Sequence, residues 1–209
     1  MKTIKINKIT TEDEVDLIVD YLKRGKVVAY PTDTVYGLGC DARNSAAIKK
    51  INKIKGERGM KPLLVLISDF KMLKKYCFVN NEQEKYLMKI WQDLTPALSL
   101  VRRGGIRPVT VILKRRPNLP NELTGGLNSL AVRLPKNDFL IKIISQAGFP
   151  IVSTSLNKKG EKSLTDVKNI ETHFKYLPDL AVDAGESKNT KPSRLVDLRD
   201  VSDIKVIRK

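Results

Sequence analysis

Two short apolar runs, at residues 27–30 and 63–67, bracket the stretch that most limits what this chain can fold into. Each has the length and composition of a buried strand bounded by turn residues. Between them Ile48, Ile51 and Ile54 recur at helical spacing behind Asn44 and Ser45, either of which caps a helix, and Gly56 ends it. Strand, helix and strand in that order predict an α/β layer arrangement. The seams between these elements are polar. Thr32-Asp33-Thr34 makes a turn after the first strand, Gly37 and Gly39 let the backbone pass close to a ligand, and Lys55, Arg58 and Lys61 crowd the loop before the second strand. The same residues also suit an ordinary turn and a solvated charge run. Because the cations lie beside a buried strand and among Gly56 and Gly59, backbone amides can approach an anion together with them, and the stretch reads as one wall of an anion-binding pocket.

The rest of the chain continues the layer pattern. Alternation predicts a short edge strand at residues 4–6, and Thr11 with Glu14 has capping-box spacing ahead of a helix that runs to Arg24 with Val15, Ile18, Val19 and Leu22 inward. Ser68 or Asp69 caps a short helix, and residues 81–91 form another with Leu87, Ile90 and Trp91 on its apolar side. Residues 94–107, interrupted by Pro96, Gly104 and Gly105, read as a long loop. Strands are expected at 109–113 and 130–134 around a Pro- and Gly-rich connection, and Asn137 caps a helix ending at Gly148. Further strands are expected at 150–154, 180–183, 195–198 and 204–207, with a modest helix at 166–174. Two features carry chemistry. Arg133 interrupts an apolar strand, so it meets either a carboxylate or a pocket anion; the hydroxyl and amide cluster Ser153–Asn157 sits at a strand's carboxyl end, where open α/β sheets hold ligands.

Composition narrows the partners. Thirty-nine Lys and Arg against 23 Asp and Glu give a net charge of +16, which points to nucleic acid or phosphorylated ligands, or to a generally Lys-rich surface. A single histidine, His173, argues against a histidine triad or a multi-histidine metal site and is read as a surface residue. Cys40 and Cys77 lack metal or disulfide spacing and are expected to be reduced. No run approaches the roughly 20 apolar residues of a membrane span, the N-terminus lacks a signal-peptide core, and the expectation is a cytoplasmic protein of one domain.

Seven segments in order resemble the threonylcarbamoyl-AMP synthase family, the YrdC-like domain. They are AYPTDTVYGLG at 29–39, KGERGMKPLLVL at 55–66, PVTVIL at 108–113, LTGGLNSLAVRLP at 123–135, STSLN at 153–157, GEKSLT at 160–165 and PSRLVDL at 192–198. The resemblance implies a single α/β domain over residues 1–209, with a twisted, largely mixed sheet, flanking helices and a large, positively charged cavity. It also implies a nucleotidyltransferase that joins L-threonine, bicarbonate and ATP into threonylcarbamoyl-AMP and pyrophosphate. That product supplies the threonylcarbamoyl group for adenosine 37 of transfer RNAs, through a separate transferase complex downstream. Carried over residue by residue, Thr34, Arg133, Ser153 and Ser193 would bind L-threonine. Lys55, Arg58, Lys61, Ser129, Ser155, Asn157, Ser163 and Arg208 would bind ATP, with Lys55, Arg58 and Arg133 catalytic. Magnesium would arrive with ATP, without a protein metal site. Three departures from the family pattern are visible: Glu57 stands where it has Arg, residues 92–107 separate Trp91 from the strand that follows, and Leu156 replaces a small residue. The contrasting expectation is a non-catalytic module for structured RNA, favoured by the charge and by the GXXG spacing of Gly56 and Gly59.

Overall fold

The structure, a computed structural model, describes residues 1–6, 11–56, 61–92, 108–187 and 191–208. Its strands are β1 (Lys2–Lys5), β2 (Val28–Tyr30), β3 (Gly37–Gly39), β4 (Leu64–Leu66), β5 (Val109–Lys114), β6 (Ser129–Arg133), β7 (Ile151–Ser155), β8 (Leu180–Asp183), β9 (Arg194–Asp197) and β10 (Lys205–Arg208). Its helices are α1 (Glu12–Lys23), α2 (Ser45–Ile54), α3 (Phe70–Tyr76), α4 (Asn81–Gln92), α5 (Asn121–Thr124), α6 (Asp138–Ala147) and α7 (Ile170–His173).

Capping chemistry sets where the helices begin. Thr11 and Glu14 form the reciprocal box ahead of α1, Asn44 rather than Ser45 caps α2, Asp69 rather than Ser68 caps α3, and Asn137 caps α6. The inward faces follow the sequence period: Val15, Ile18, Val19 and Leu22 of α1 and Leu140, Ile143 and Ile144 of α6 are buried in one core with Ile48, Ile51 and Ile54 of α2. Each such side chain contributes roughly 1.5–3 kcal/mol of burial, which offsets the entropy of ordering its helix.

Among the described residues the strands form one mixed sheet in the order β1-β8-β2-β3-β7-β4-β6-β5-β9-β10. Neighbours β1–β8, β8–β2, β4–β6 and β5–β9 are parallel, and the other neighbouring pairs are antiparallel. Insertion of β7 between β3 and β4 is the decisive pairing, because it sets the Ser153–Asn157 cluster beside both halves of the 27–66 stretch.

Several expectations need correction. Residues 37–39, read as an open turn, form β3. The place of the absent Gly39 side chain is taken by Tyr30, whose hydroxyl crosses the strand to donate to Val152 O at 3.2 Å. The 166–174 helix contracts to the four residues of α7, and the Pro- and Gly-rich connection contains the short α5. The first strand starts earlier than alternation suggested, at Lys2. His173 is half-buried, packs edge-on against Phe174 at 4.9 Å and has Nε2 2.8 Å from Glu161. The expected loop at 94–107 lies outside the described residues. Trp91 nevertheless donates its indole N–H to Val109 O at 3.0 Å, so the residues on either side of that segment meet in space.

Candidate active site

Alternate residues of the central strands project from one face of the sheet and enclose a cavity of about 440 Å3. Its floor is a row in register, with Leu64 of β4 opposite Ser153 of β7 and Ala131 of β6, and Ala131 opposite Ile112 of β5. The cavity therefore covers a sheet face as well as the expected position at the carboxyl end of β7, where Ser155 and Asn157 line it. The reason is topological: β7 runs antiparallel to both β3 and β4, so these strands share no carboxyl edge.

One end of the cavity is built on Arg133, 2% exposed. Its Nη1 lies 3.1 Å from Asp33 Oδ1 and donates to Thr34 Oγ1 at 3.2 Å. The Nε is buried and has no hydrogen-bond partner among the described residues. The carboxylate reading of Arg133 thus holds, through Asp33, while its Nε remains an unmatched donor. Burial pushes the guanidinium below its ordinary pKa and the charge of Asp33 opposes that shift. Thr32 fixes the hydroxyl directions. Its single hydrogen is given to Val35 O at 2.7 Å, so in the 2.9 Å contact between the two hydroxyls Thr34 donates to Thr32. Thr34 Oγ1, accepting from Arg133 and donating to Thr32, keeps one lone pair for an N–H donor. Ser153, 6% exposed, stands on the same side, where its contact with Tyr30 partly offsets the burial that raises the Tyr30 phenol far above its usual range.

The opposite end is built on Lys55, which follows α2 directly and is 5% exposed. Its Nζ donates to Ser155 O at 2.6 Å, Asn157 O at 3.0 Å and Asn157 Oδ1 at 2.7 Å. Ser155 Oγ donates to the same Oδ1 at 2.6 Å, and Asn157 Nδ2 donates to Glu161 O at 2.6 Å, which fixes the amide's orientation. Leu156 between them is fully buried in the core and is not part of the described cavity lining. A third wall comes from the last strands. Thr110 and Ser193 share a 2.7 Å hydroxyl contact, and Arg208 of β10 donates to Ser193 O at 2.9 Å and to Ser193 Oγ at 3.3 Å.

The structure therefore gathers Thr34, Lys55, Lys61, Arg133, Ser153, Ser155, Asn157, Ser193 and Arg208 around one space. Ser129 and Ser163 are not in its lining: Ser129 is two residues from Ala131 toward the start of β6, and Ser163 makes only long 3.5 Å contacts to Tyr36 O and Leu156 O. Arg58, and with it the GXXG spacing, falls outside the described residues. Sequence reasoning missed Thr110, whose β-strand position on the Arg133-facing side was readable from alternation, and Lys158 and Lys159, which directly follow the Ser153–Asn157 cluster. Six described lining residues are cationic and none is a carboxylate.

Fold and cavity together define an α/β protein with a cation-lined cavity on the face of a mixed sheet. The chain belongs to the Sua5/YciO/YrdC family, whose model, described as "Telomere recombination", matches residues 20–209. It is 28% identical over 198 residues to the threonylcarbamoyl-AMP synthase of Pyrococcus abyssi, covering 94% of this chain and 54% of that protein. It is 30% identical over 203 residues to a putative threonylcarbamoyl-AMP synthase of Methanocaldococcus jannaschii, covering 95% of this chain and 88% of that protein. The crystal structure of P. abyssi Sua5 complexed with L-threonine superposes with a TM-score of 0.78 at 28% identity, over 94% of this chain and 54% of that one. The chain thus spans about half the length of the P. abyssi protein and most of the M. jannaschii one.

Proposed function

We propose that the chain is a nucleotidyltransferase that makes L-threonylcarbamoyl-AMP from L-threonine, bicarbonate and ATP. The amine of threonine and bicarbonate combine to a carbamate with loss of water; a carbamate oxygen then attacks the α-phosphorus of ATP and pyrophosphate leaves. The observation that carries this reading is the division of one cavity into an Arg133–Thr34–Ser153 end and a Lys55–Ser155–Asn157 end. An amino acid carboxylate suits the unmatched Arg133 Nε, and its amine suits the lone pair left on Thr34, with Ser193 closing that side. Phosphates suit Lys61 and Arg208 as donors and the charge of Lys55, whose three hydrogens go to Ser155 and Asn157, and Arg58 is assigned to them as well. Ser155 and Asn157 face the nucleotide, with Ser129 and Ser163 beyond the lining on the ATP side. Held together, the anions react at high effective concentration while cations stabilise charge growing on the phosphate, and no general base is called for.

Magnesium is proposed to enter on the phosphate oxygens of ATP. The described lining offers hydroxyls, an amide and cations but no carboxylate, a donor set that does not suit a protein-held magnesium ion. The product would pass to a threonylcarbamoyl-transferase complex acting on transfer RNA, which is the partner class this reaction implies.

Purified protein with ATP, threonine, bicarbonate and magnesium is expected to release pyrophosphate, and Arg133→Ala to lower that rate by about 100-fold or more. Circular dichroism on both samples checks folding. A folded wild-type protein that releases none sinks the proposal, and equal rates with serine or valine in place of threonine would reassign the substrate.

A further inference from the structure

A second hollow, of about 530 Å3, shares Lys55, Lys158 and Lys159 with the active-site cavity and adds Lys53, Lys175 and Tyr176. Its lysines come from three separate segments: the last turn of α2 and its cap, the loop after β7, and the residues after α7. The segments are tied together. Lys159 N–H donates to Lys55 O at 3.2 Å, and the Tyr176 ring carries Lys53 Nζ 4.2 Å and Lys175 Nζ 5.6 Å from its centroid. The negative end of the α2 dipole accounts for a lysine at position 53, but it does not account for cations delivered from the other two segments. Like charges brought together repel, so Lys53, Lys158, Lys159 and Lys175 around one hollow favour an anion between them, beside Lys55, whose Nζ already donates to Ser155 and Asn157. Among the described lining residues Glu161 is the one carboxylate, and its Oε2 lies 2.8 Å from His173 Nε2.

We propose that this hollow binds condensed phosphate, and that its occupant in turnover is the departing pyrophosphate. The identity of the occupant rests on the reaction proposed above. In that reading the α-phosphate faces the Arg133 end, so the leaving group already lies against Lys55, Lys158 and Lys159. Movement onto Lys53 and Lys175 then carries it away without crossing the bound adenylate. Pyrophosphate, with several negative oxygens, fits multiple ammonium donors better than a monoanion does.

The test is calorimetric titration of inorganic pyrophosphate into wild-type protein and into the double variant Lys53→Gln with Lys175→Gln. Both residues are exposed and lie outside the catalytic cavity. Pyrophosphate affinity is expected to fall about tenfold in the variant, while affinity for a non-hydrolysable ATP analogue changes less than about twofold. Equal pyrophosphate affinity in the two proteins overturns the proposal, as does a parallel loss for pyrophosphate and the ATP analogue. Loss of binding to an RNA hairpin with pyrophosphate binding unchanged overturns it in favour of a nucleic-acid surface. Because the titration needs no turnover, a protein that shows the tenfold loss but makes no adenylate retains the condensed-phosphate hollow and refutes only the reaction.

Discussion

A methyl group at Gly39 would lie 2.5 Å from Tyr30 Cε1 and 2.6 Å from the carbonyl oxygen of Val152. Both neighbours are fixed, one as a buried ring and the other as strand backbone, so the strain cannot be relieved by a side-chain rotation. Gly39→Ala is expected to destabilise the protein by about 1–3 kcal/mol in urea unfolding, and an unchanged midpoint would refute the packing role. At Gly37 the added methyl would meet Thr32 Cγ2 at 3.3 Å and Ser153 Oγ at 3.4 Å. These are cavity-wall groups, so Gly37→Ala is expected to lower pyrophosphate release more than stability, read by comparing the rate with the urea midpoint. The two glycines are alike in sequence; their neighbours separate a packing role from a site role.

Asp179 ties three elements together. Its Oδ1 lies 2.7 Å from Lys50 Nζ on α2, its Oδ2 accepts from Val27 N–H at 2.8 Å just before β2, and its own N–H donates to Val27 O at 2.7 Å on the approach to β8. Burial alone would raise this carboxyl, but the hydrogen bonds from Lys50 and Val27 win and hold it below its ordinary value of 3.8. A carboxylate with a depressed folded-state pKa stabilises the fold above the unfolded value and loses that contribution as pH falls through the folded one. Asp179→Asn is therefore expected to lower stability at neutral pH and to flatten the acid loss below about pH 4, measured as thermal midpoint against pH. A variant whose acid limb parallels the wild type would refute the clamp.

Over the whole molecule, one core reaches from α1 across the sheet to both cysteines, each 0% exposed. Burial pushes the Cys77 thiol up to about 12 and raises Cys40 as well, which keeps both protonated and unreactive. Neither is expected to react with a thiol reagent at pH 8 in the native protein, and both should react in denaturant; native labelling would show the core to be open. Helix starts at Thr11, Asn44, Asp69 and Asn137 and the buried period of α1, α2 and α6 were legible in the sequence, because capping and amphipathic spacing act within a few residues. The three-residue β3 was not, since Gly-Leu-Gly carries no strand preference and is held only by β2 and β7. The polar groups of the cavity were individually visible, yet their partners were not. Arg133 meets Thr34 across 99 residues and Lys55 meets Ser155 across 100, contacts that exist only when β7 inserts between β3 and β4. The sequence by itself determined most of the elements, β3 and α5 excepted, and most of the chemical inventory of the site. Tertiary structure decided that the inventory faces one side of a sheet, because strand order and register depend on all the pairings at once and no local run of residues encodes them.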